Sequence, residues 1–233
     1  MSEVPPVAVV PPQFDFGKPF SYVFDDPRWP QKIALGGLFY LLSIFIVGIF
    51  FVFGYAAQTT RNIINDLPRP LPEWEDLGEM FSEGARLFGV ALVYSLPIVV
   101  LVAIAIVPAI ALDALHNSAL QVGAIVAIGC FALIAVLLWV AVVFLMPASL
   151  LFAVVQRRFG AAFEFRQIFL FVRANIGNYL LAFVVAIIAR FVGGMGFWVL
   201  CIGMFFTAFW ALLISAHAFA QVYRLAMRPP ATP

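Results

Sequence analysis

Charge is scarce in this chain of 233 residues. Only 11% of its residues are Asp, Glu, Lys or Arg and 64% are hydrophobic, whereas about 25% of a soluble domain is charged. Residues 119–155 carry no charge at all, and about 20 apolar residues suffice to cross a bilayer. So few polar groups cannot cover the surface of a soluble globular protein. The composition therefore excludes a soluble globular protein and predicts an integral membrane protein.

The motifs of common catalytic sites are also missing. The sequence has no HExxH, CxxC or GxSxG motif, no phosphate-binding loop and only two histidines. No pair of acids lies within an apolar run. The sequence therefore offers few side chains that could ligate a metal or relay protons within the membrane. We therefore expect a noncatalytic protein without metal or cofactor. A net charge of +1 with no basic patch argues against nucleic acid as a partner.

Two further absences concern the cysteines and the start of the chain. Cys130 and Cys201 lie in different apolar runs, which indicates buried thiols rather than a disulfide framework. The opening MSEVPPVAVVPPQ lacks a basic segment leading into an apolar core, so it is not typical of a signal peptide. We predict a proline-rich flexible tail over residues 1–17 and a short tail over residues 226–233.

Long apolar runs fill the rest of the chain and predict one all-α, polytopic membrane domain over residues 18–225. Three glycines in FVGGMGFW divide the last run into two spans. The predicted segments cover residues 31–45, 47–64, 87–112, 119–146, 176–192 and 197–222. The first two are short arms of a hairpin that turns near residues 43–48. In the alternative, they form one long helix and the total is five segments.

The distribution of Lys and Arg predicts the orientation. These residues cluster in the loops at 58–86 and 156–175 and at the C-terminal end, while the turns at 113–118 and 193–196 have none. Since cytoplasmic loops of membrane proteins are rich in Lys and Arg, we expect the two loops and both termini in the cytoplasm.

The stretch LPRPLPEWEDLGEMFSEGARLF, residues 67–88, interrupts the apolar pattern with prolines and acids. At 100° per residue, its aromatic and aliphatic side chains fall on one side of a helix and its charged side chains on the other. This predicts a cytoplasmic amphipathic helix over residues 73–86, whose acidic face would be repelled by anionic lipid and would suit a basic partner. Such a docking site for another membrane subunit would use Trp74, Glu75, Asp76, Glu79 and Glu83. The alternative is a solvated helix that only orients the loop.

A second short amphipathic helix is predicted over residues 163–174. Phe165, Ile168, Phe169 and Val172 fall on one face of it, and the helix leads directly into the span at 176–192. We expect that face to pack against the membrane segments.

Three stretches resemble one prokaryotic membrane family. FSYVFDDPRWPQKIALGG, GYAAQTTRNIINDLPRPLPEWEDLGEMFSEGARLF and the ending IGMFFTAFWALLISAHAFAQVYR are similar to the family known as domain of unknown function 4013, over about residues 18–225. The resemblance implies a polytopic α-helical fold and a location in a prokaryotic cell inner membrane. It implies no activity, because no activity is established for the family.

Two polar residues within the apolar runs are candidates for function. His217 has alanines around it, and a neutral imidazole with small neighbours could ligate a haem or chlorophyll. It also shares a face with Gln221 and Arg224, which is typical of hydrogen bonding between helices.

Arg190 lies just before Gly193 and Gly194, where it could snorkel to the outer interface. It could instead form an ion pair with Asp113 of the neighbouring turn, or mark a substrate or ion site.

The function predicted from these features is that of a scaffold or accessory subunit of a membrane protein complex. A small transporter or channel component is the alternative, supported by proline-containing spans and by Arg190. A pigment- or haem-binding subunit using His217 is a third possibility. The lipid bilayer is a partner in every case.

Overall fold

The computed structural model describes residues 13–111, 118–198 and 202–227, and these residues form helices joined by short turns. The α-helices are α1 (Lys18–Ser21), α2 (Trp29–Leu42), α3 (Val47–Ile64), α4 (Leu77–Ala111), α5 (Ser118–Gln156), α6 (Phe165–Ala174), α7 (Ile176–Met195) and α8 (Gly203–Met227). Short 3-10 turns occupy Tyr22–Asp25, Ser43–Phe45, Phe159–Phe163 and Gly196–Trp198. No strand occurs in the described residues, in agreement with the predicted all-α fold.

The first apolar region forms two helices, as in the hairpin interpretation, rather than one long helix. The helices α2 and α3 have 14 and 18 residues, or about 21 and 27 Å at 1.5 Å per residue. The turn between them places Ile46 at a φ of 68°, a conformation that β-branched residues rarely adopt. Both helices are shorter than most bilayer-crossing helices. Whether they cross the membrane, which would give six segments in total, therefore stays a prediction.

Four helices are long and apolar enough to cross a membrane: Leu77–Val107, Ser118–Gln156, Ile176–Trp198 and Gly203–Met227. They correspond to the last four predicted segments. From residue 95 to residue 107 and from 118 to 147, no described side chain is buried within the protein. This apolar arm of α4 and α5 must therefore be covered by lipid or by another chain.

The predicted boundaries of α4 and α5 were wrong. A separate amphipathic helix at 73–86 does not exist, because α4 runs without interruption for 35 residues from Leu77. The segment predicted to end at residue 146 continues through Pro147 to Gln156. A proline frees carbonyls in the preceding turn, and here the Tyr179 hydroxyl donates to the Phe144 carbonyl at 2.6 Å. The Phe144 carbonyl lies next to that of Val143, which is four residues before Pro147 and loses its helical N–H partner.

Small residues spaced three or four apart along the chain bring α7 and α8 together. Ala182, Ala186 and Ala189 of α7 are buried, as are Ala211 and Ala218 of α8. A Cβ added to Gly193 would lie only 2.9 Å from that of Ala211, and the Thr207 hydroxyl donates to the Gly193 carbonyl at 2.6 Å. The close approach of the two backbones is what these small side chains permit.

The predicted apolar face of the second amphipathic helix was partly wrong. In α6, Ile168, Phe171 and Val172 are buried, whereas Phe165 and Phe169 are more than half exposed. The buried face is rotated because Phe171 packs against Phe152 of α5 and Tyr223 of α8. Tertiary contacts therefore decided which of several aromatic side chains face inward.

Candidate functional site

The proline-rich segment Leu67–Asp76, here named the strap, is fixed to α2 and α3 by hydrogen bonds. Its main-chain carbonyls accept from three side chains of the two helices, and its Trp74 indole donates to the Lys32 carbonyl. The three bonds are Lys32 Nζ to Leu71 at 2.8 Å, Asn62 Nδ2 to Pro70 at 2.9 Å and the Tyr55 hydroxyl to Pro72 at 3.0 Å. Prolines suit this arrangement, because they hold the chain extended and leave only carbonyls to be satisfied.

A buried ion cluster lies beneath the strap. Asp26 and Lys32 are 3% and 4% exposed, and the Lys32 ammonium contacts the Asp26 carboxylate at 2.6 Å and the Glu73 carboxylate at 2.7 Å. Arg28 also reaches Glu73, at 2.7 Å. Burial alone would raise the pKa of the Asp26 carboxyl, but the hydrogen bond from Lys32, the Arg28 backbone N–H and both positive charges lower this pKa below its ordinary value.

Trp74 is not a free docking residue. Its indole stacks on Phe39 of α2 and on Tyr55 of α3, with ring centroids 4.8 and 4.3 Å apart. Such aromatic contacts stabilise beyond their buried area. Trp74 therefore holds the strap against the two helices.

The acids Glu79 and Glu83, predicted on the exposed face, are paired within the protein. Arg61 of α3 contacts Glu83 at 2.6 Å, and Arg157, after α5, contacts Glu79 at 2.9 Å. Glu83 is only 5% exposed and lies on the buried stripe with Met80 and Leu87. The helical-wheel assignment of Glu83 was wrong because it could not include Arg61, whose charge draws the carboxylate inward.

Glu75 and Asp76 are the two predicted docking residues that remain exposed. They stand at the end of the strap, immediately before α4. The Asp76 carboxylate accepts a hydrogen bond from the Glu79 backbone N–H at 3.1 Å, as an N-cap does. Of the five predicted docking residues, Trp74, Glu79 and Glu83 thus contact side chains of other segments of the protein. Glu75 and Asp76 face outward.

His217 lies under the N-terminal part of the chain. It is 5% exposed, and the Tyr22 ring covers it at a centroid distance of 4.5 Å. The Tyr22 hydroxyl donates to the Leu213 carbonyl at 3.0 Å. In the orientation that its neighbours require, the Gln221 amide bonds both the N–H and the carbonyl of Asp15, and Arg224 pairs with Asp66. The polar stripe of α8 therefore binds residues 15–22 and the end of α3.

Arg190 is exposed and has no ion pair or hydrogen bond with any residue in the described ranges. Its predicted partner Asp113 lies outside the described residues, so that pair stays a prediction. Arg190 instead lines two cavities, of about 440 and 530 Å³. Within residues 13–111, 118–198 and 202–227, no group of three or more His, Cys, Asp or Glu side chains could hold a metal ion.

Sequence reasoning missed two features of this region. The Asp26–Lys32 pair was not anticipated, because Lys32 lies among apolar residues that predict only a membrane arm. The close approach of α3 and α4 at Gly54 and Gly84 was also missed, although glycine in an apolar helix is a signal for such packing.

Together, four bilayer-length apolar helices and a charged end held by ion pairs indicate an α-helical membrane protein. The chain belongs to the family described as a protein of unknown function (DUF4013), whose model matches residues 38–202. This range contains the strap but ends before His217. Comparison with curated proteins and with solved structures gives no match.

Proposed function

We propose that the protein is a noncatalytic scaffold or accessory subunit that docks a basic partner at its strap. The main observation in support of this proposal is that the strap, which connects α3 to α4, is held in one conformation. Between α3 and α4, 12 residues without regular structure are held by four hydrogen bonds, a buried ion cluster and an aromatic stack. Ordered loops of this length usually have a function, and a preorganised surface loses less entropy when it binds.

The charge of the exposed part of the strap defines the partner. Glu75 and Asp76 project side by side without a basic neighbour among the described contacts, whereas Glu73, Glu79 and Glu83 are neutralised internally. Anionic lipid headgroups would repel the two exposed carboxylates. A cationic segment of another membrane subunit would be attracted and steered to them.

Native mass measurement after gentle detergent extraction tests this proposal. The double variant Glu75→Gln with Asp76→Asn removes both charges while Asn keeps the N-cap of α4. We expect a heterologous partner to accompany the wild-type protein and to be lost from the double variant. Arg166→Gln is the control, because Arg166 is also exposed and charged but lies on α6.

Recovery of the wild-type chain as a lone homo-oligomer would contradict the docking function. Equal retention of the partner by the wild type and the double variant would show that a different surface carries the contact. Because the substitutions are isosteric and exposed, folding should be unaffected, which an unchanged thermal midpoint would verify.

A second candidate function, a small transporter or channel component, is favoured by the two cavities at Arg190. An ionisable residue beside a cavity within a membrane bundle is a feature of solute pathways. Solute flux into liposomes that is abolished by Arg190→Ala would support this candidate over the scaffold. Absence of flux for a panel of small anions would leave the scaffold as the better proposal.

The same proposal places the protein in a cell inner membrane with both termini in the cytoplasm. The ion-paired end of the bundle contains Arg61, Arg157 and Arg224, which supports that orientation under the positive-inside rule.

A further inference from the structure

We propose that the protein binds an anionic phospholipid at Arg190, with the phosphate on the guanidinium and an acyl chain in the cavity beside α5. This inference is independent of the docking function of the strap. It depends on the position of Arg190, on the two cavities that meet there and on the apolar character of one of them.

Arg190 lies within the apolar part of the bundle. It precedes the end of α7 at Met195 by five residues, or about 7–8 Å along the helix axis. The other Lys and Arg side chains in the described ranges lie in residues 18–32, 61–86 and 157–173 and at position 224. A guanidinium among apolar helices favours a counter-charge, and the described residues supply none.

The two cavities share Arg190, Phe53, Leu212 and Ser215 among their lining residues. The first, of about 440 Å³, extends to the turn at Ser43 and to Gly194 near the end of α7, and Tyr40 also lines it. The second, of about 530 Å³, extends between α3, α5, α7 and α8. Arg190 therefore lies where the two cavities meet, and the second cavity is lined mainly by apolar side chains, with Thr60 and Ser215 as its hydroxyl-bearing residues.

The second cavity suits an acyl chain. On α5 its lining runs from Trp139 to Val154, a rise of about 22 Å at 1.5 Å per residue. Its volume lies within the range of about 300–1,000 Å³ found for small-molecule sites. Trp139 and Ile187, at its α5 and α7 walls, are 56% and 63% exposed, so this side is open to the surrounding bilayer and a lipid could enter laterally.

An anionic phospholipid matches this combination of groups. Arg forms paired, charge-assisted hydrogen bonds to phosphate oxygens. The Tyr40 hydroxyl lines the first cavity and could donate to a polar headgroup, whereas the Ser43 hydroxyl donates to the Phe39 carbonyl and can only accept. A soluble anion would pair with the Arg190 guanidinium but would leave the apolar cavity unfilled. A phospholipid supplies both the negative charge and an apolar chain.

Native mass spectrometry of the full chain in detergent, titrated with phosphatidylglycerol, tests the site. We expect one lipid to bind saturably, and Arg190→Gln to weaken its affinity by about tenfold or more, as expected for a hydrogen bond to a charged group. Arg166→Gln is the matched control and should bind normally. Equal affinity of the wild type and Arg190→Gln would overturn the proposal.

A second pair of variants tests the acyl-chain cavity. Ala216→Leu adds three carbons to a lining residue of the second cavity, and we expect it to weaken lipid binding. Ala141→Leu makes the same change at an exposed position on α5 that lines neither cavity, and we expect no effect. If the two variants bind lipid equally, no acyl chain occupies the cavity and the proposal fails.

Competition with inorganic phosphate separates a lipid site from a simple anion site. Displacement of the lipid by millimolar inorganic phosphate would show that the contact between Arg190 and the phosphate group accounts for all of the affinity. That result would overturn the lipid assignment. Retention of the lipid under those conditions, with weaker binding of phosphatidylcholine of the same chain length, would support a site that recognises both the net negative headgroup and the acyl chain.

Discussion

Single residues of this protein carry strain or charge in places where composition alone would not suggest it. Ile46 is the clearest example of strain, since it adopts a φ of 68° and a ψ of −39° at the turn of the α2–α3 hairpin. Glycine is the residue that reaches this conformation without a steric penalty. Ile46 is 60% exposed and therefore loses little packing when its side chain is removed.

We predict that Ile46→Gly stabilises the protein by about 1 kcal/mol, because it relieves backbone strain of that order. The thermal midpoint in detergent should rise. Ile44→Gly is the control, since Ile44 is similarly exposed at 66% but lies in the 3-10 turn with negative φ, where glycine adds only flexibility. A lower midpoint for Ile46→Gly than for Ile44→Gly would contradict the assignment of strain.

Lys32 is the residue on which the buried ion cluster depends. Lys32→Met leaves the Asp26 carboxylate buried without its counter-charge, which typically destabilises a protein by about 3 kcal/mol or more. Lys18→Met is the matched control, because the Lys18–Asp25 pair is about half exposed and such surface pairs contribute about 0–1 kcal/mol. Chemical denaturation in detergent would compare the two variants, and equal losses of stability would contradict the buried cluster.

The lowered pKa of Asp26 predicts a dependence of stability on pH. A carboxyl whose pKa is lower in the folded state than in the unfolded state stabilises the fold above its unfolded value of about 4, and this contribution is lost as the pH falls through the folded value. Asp26→Asn should therefore be less stable than the wild type at pH 7, and the difference should shrink below about pH 4. A difference that stays constant from pH 7 to pH 3 would contradict this prediction.

At the scale of helices, close backbone contact organises the bundle. A Cβ added to Gly84 of α4 would lie 1.6 Å from the Phe50 carbonyl oxygen of α3, and one added to Gly54 of α3 would lie 1.9 Å from the Met80 carbonyl oxygen. Because the obstructing atoms are main-chain atoms, no rotamer change can relieve the overlap. The two glycines therefore allow α3 and α4 to cross in direct contact.

Gly84→Ala should force α3 and α4 apart and lower stability by about 1–3 kcal/mol, the usual effect of overpacking. Gly129→Ala, on α5, adds the same methyl group where no atom lies within 4 Å, so it should be neutral or slightly stabilising. Thermal unfolding in one detergent would compare them. A neutral Gly84→Ala would show that the two helices are farther apart than described.

The helices were predictable from the sequence because apolar runs longer than a bilayer leave the backbone few alternatives. Their ends were less predictable. The helix α4 continues across the predicted boundary at residue 87 because no residue there stops a helix, and the change from polar to apolar surroundings does not interrupt the main-chain hydrogen bonds. The segment predicted over residues 119–146 stops before Pro147, but α5 continues through this proline to Gln156.

At the scale of the whole molecule, charge is concentrated at one end and apolar surface at the other. Three ion pairs connect the helices at the charged end. They join Arg61 of α3 to Glu83 of α4, Arg157 after α5 to Glu79 of α4, and Arg224 of α8 to Asp66 after α3. The arm of α4 and α5 exposes apolar side chains along most of its length. This asymmetry suits a protein that is inserted in a bilayer with one polar face.

Cysteine labelling in intact cells tests the predicted orientation. In a background where Cys130 and Cys201 are replaced by Ala, we expect Ser2→Cys to react with a membrane-impermeant thiol reagent only after permeabilisation. Asn117→Cys, in the predicted outer turn, should react without permeabilisation. Labelling of Ser2→Cys from outside would place the N-terminus on the other side and would contradict the six-segment topology.

The sequence by itself determined the all-α membrane class, the positions of the apolar helices and the close packing of α7 on α8, because each follows from local composition and helical spacing. Only the tertiary structure decided that Glu83 is buried beside Arg61, that Tyr22 covers His217 and that Arg190 lines two cavities. The reason is that burial of a polar side chain depends on which opposite charge or ring another helix brings to it. Those partners lie up to 195 residues away along the chain, as between Tyr22 and His217, where no local pattern can reveal them.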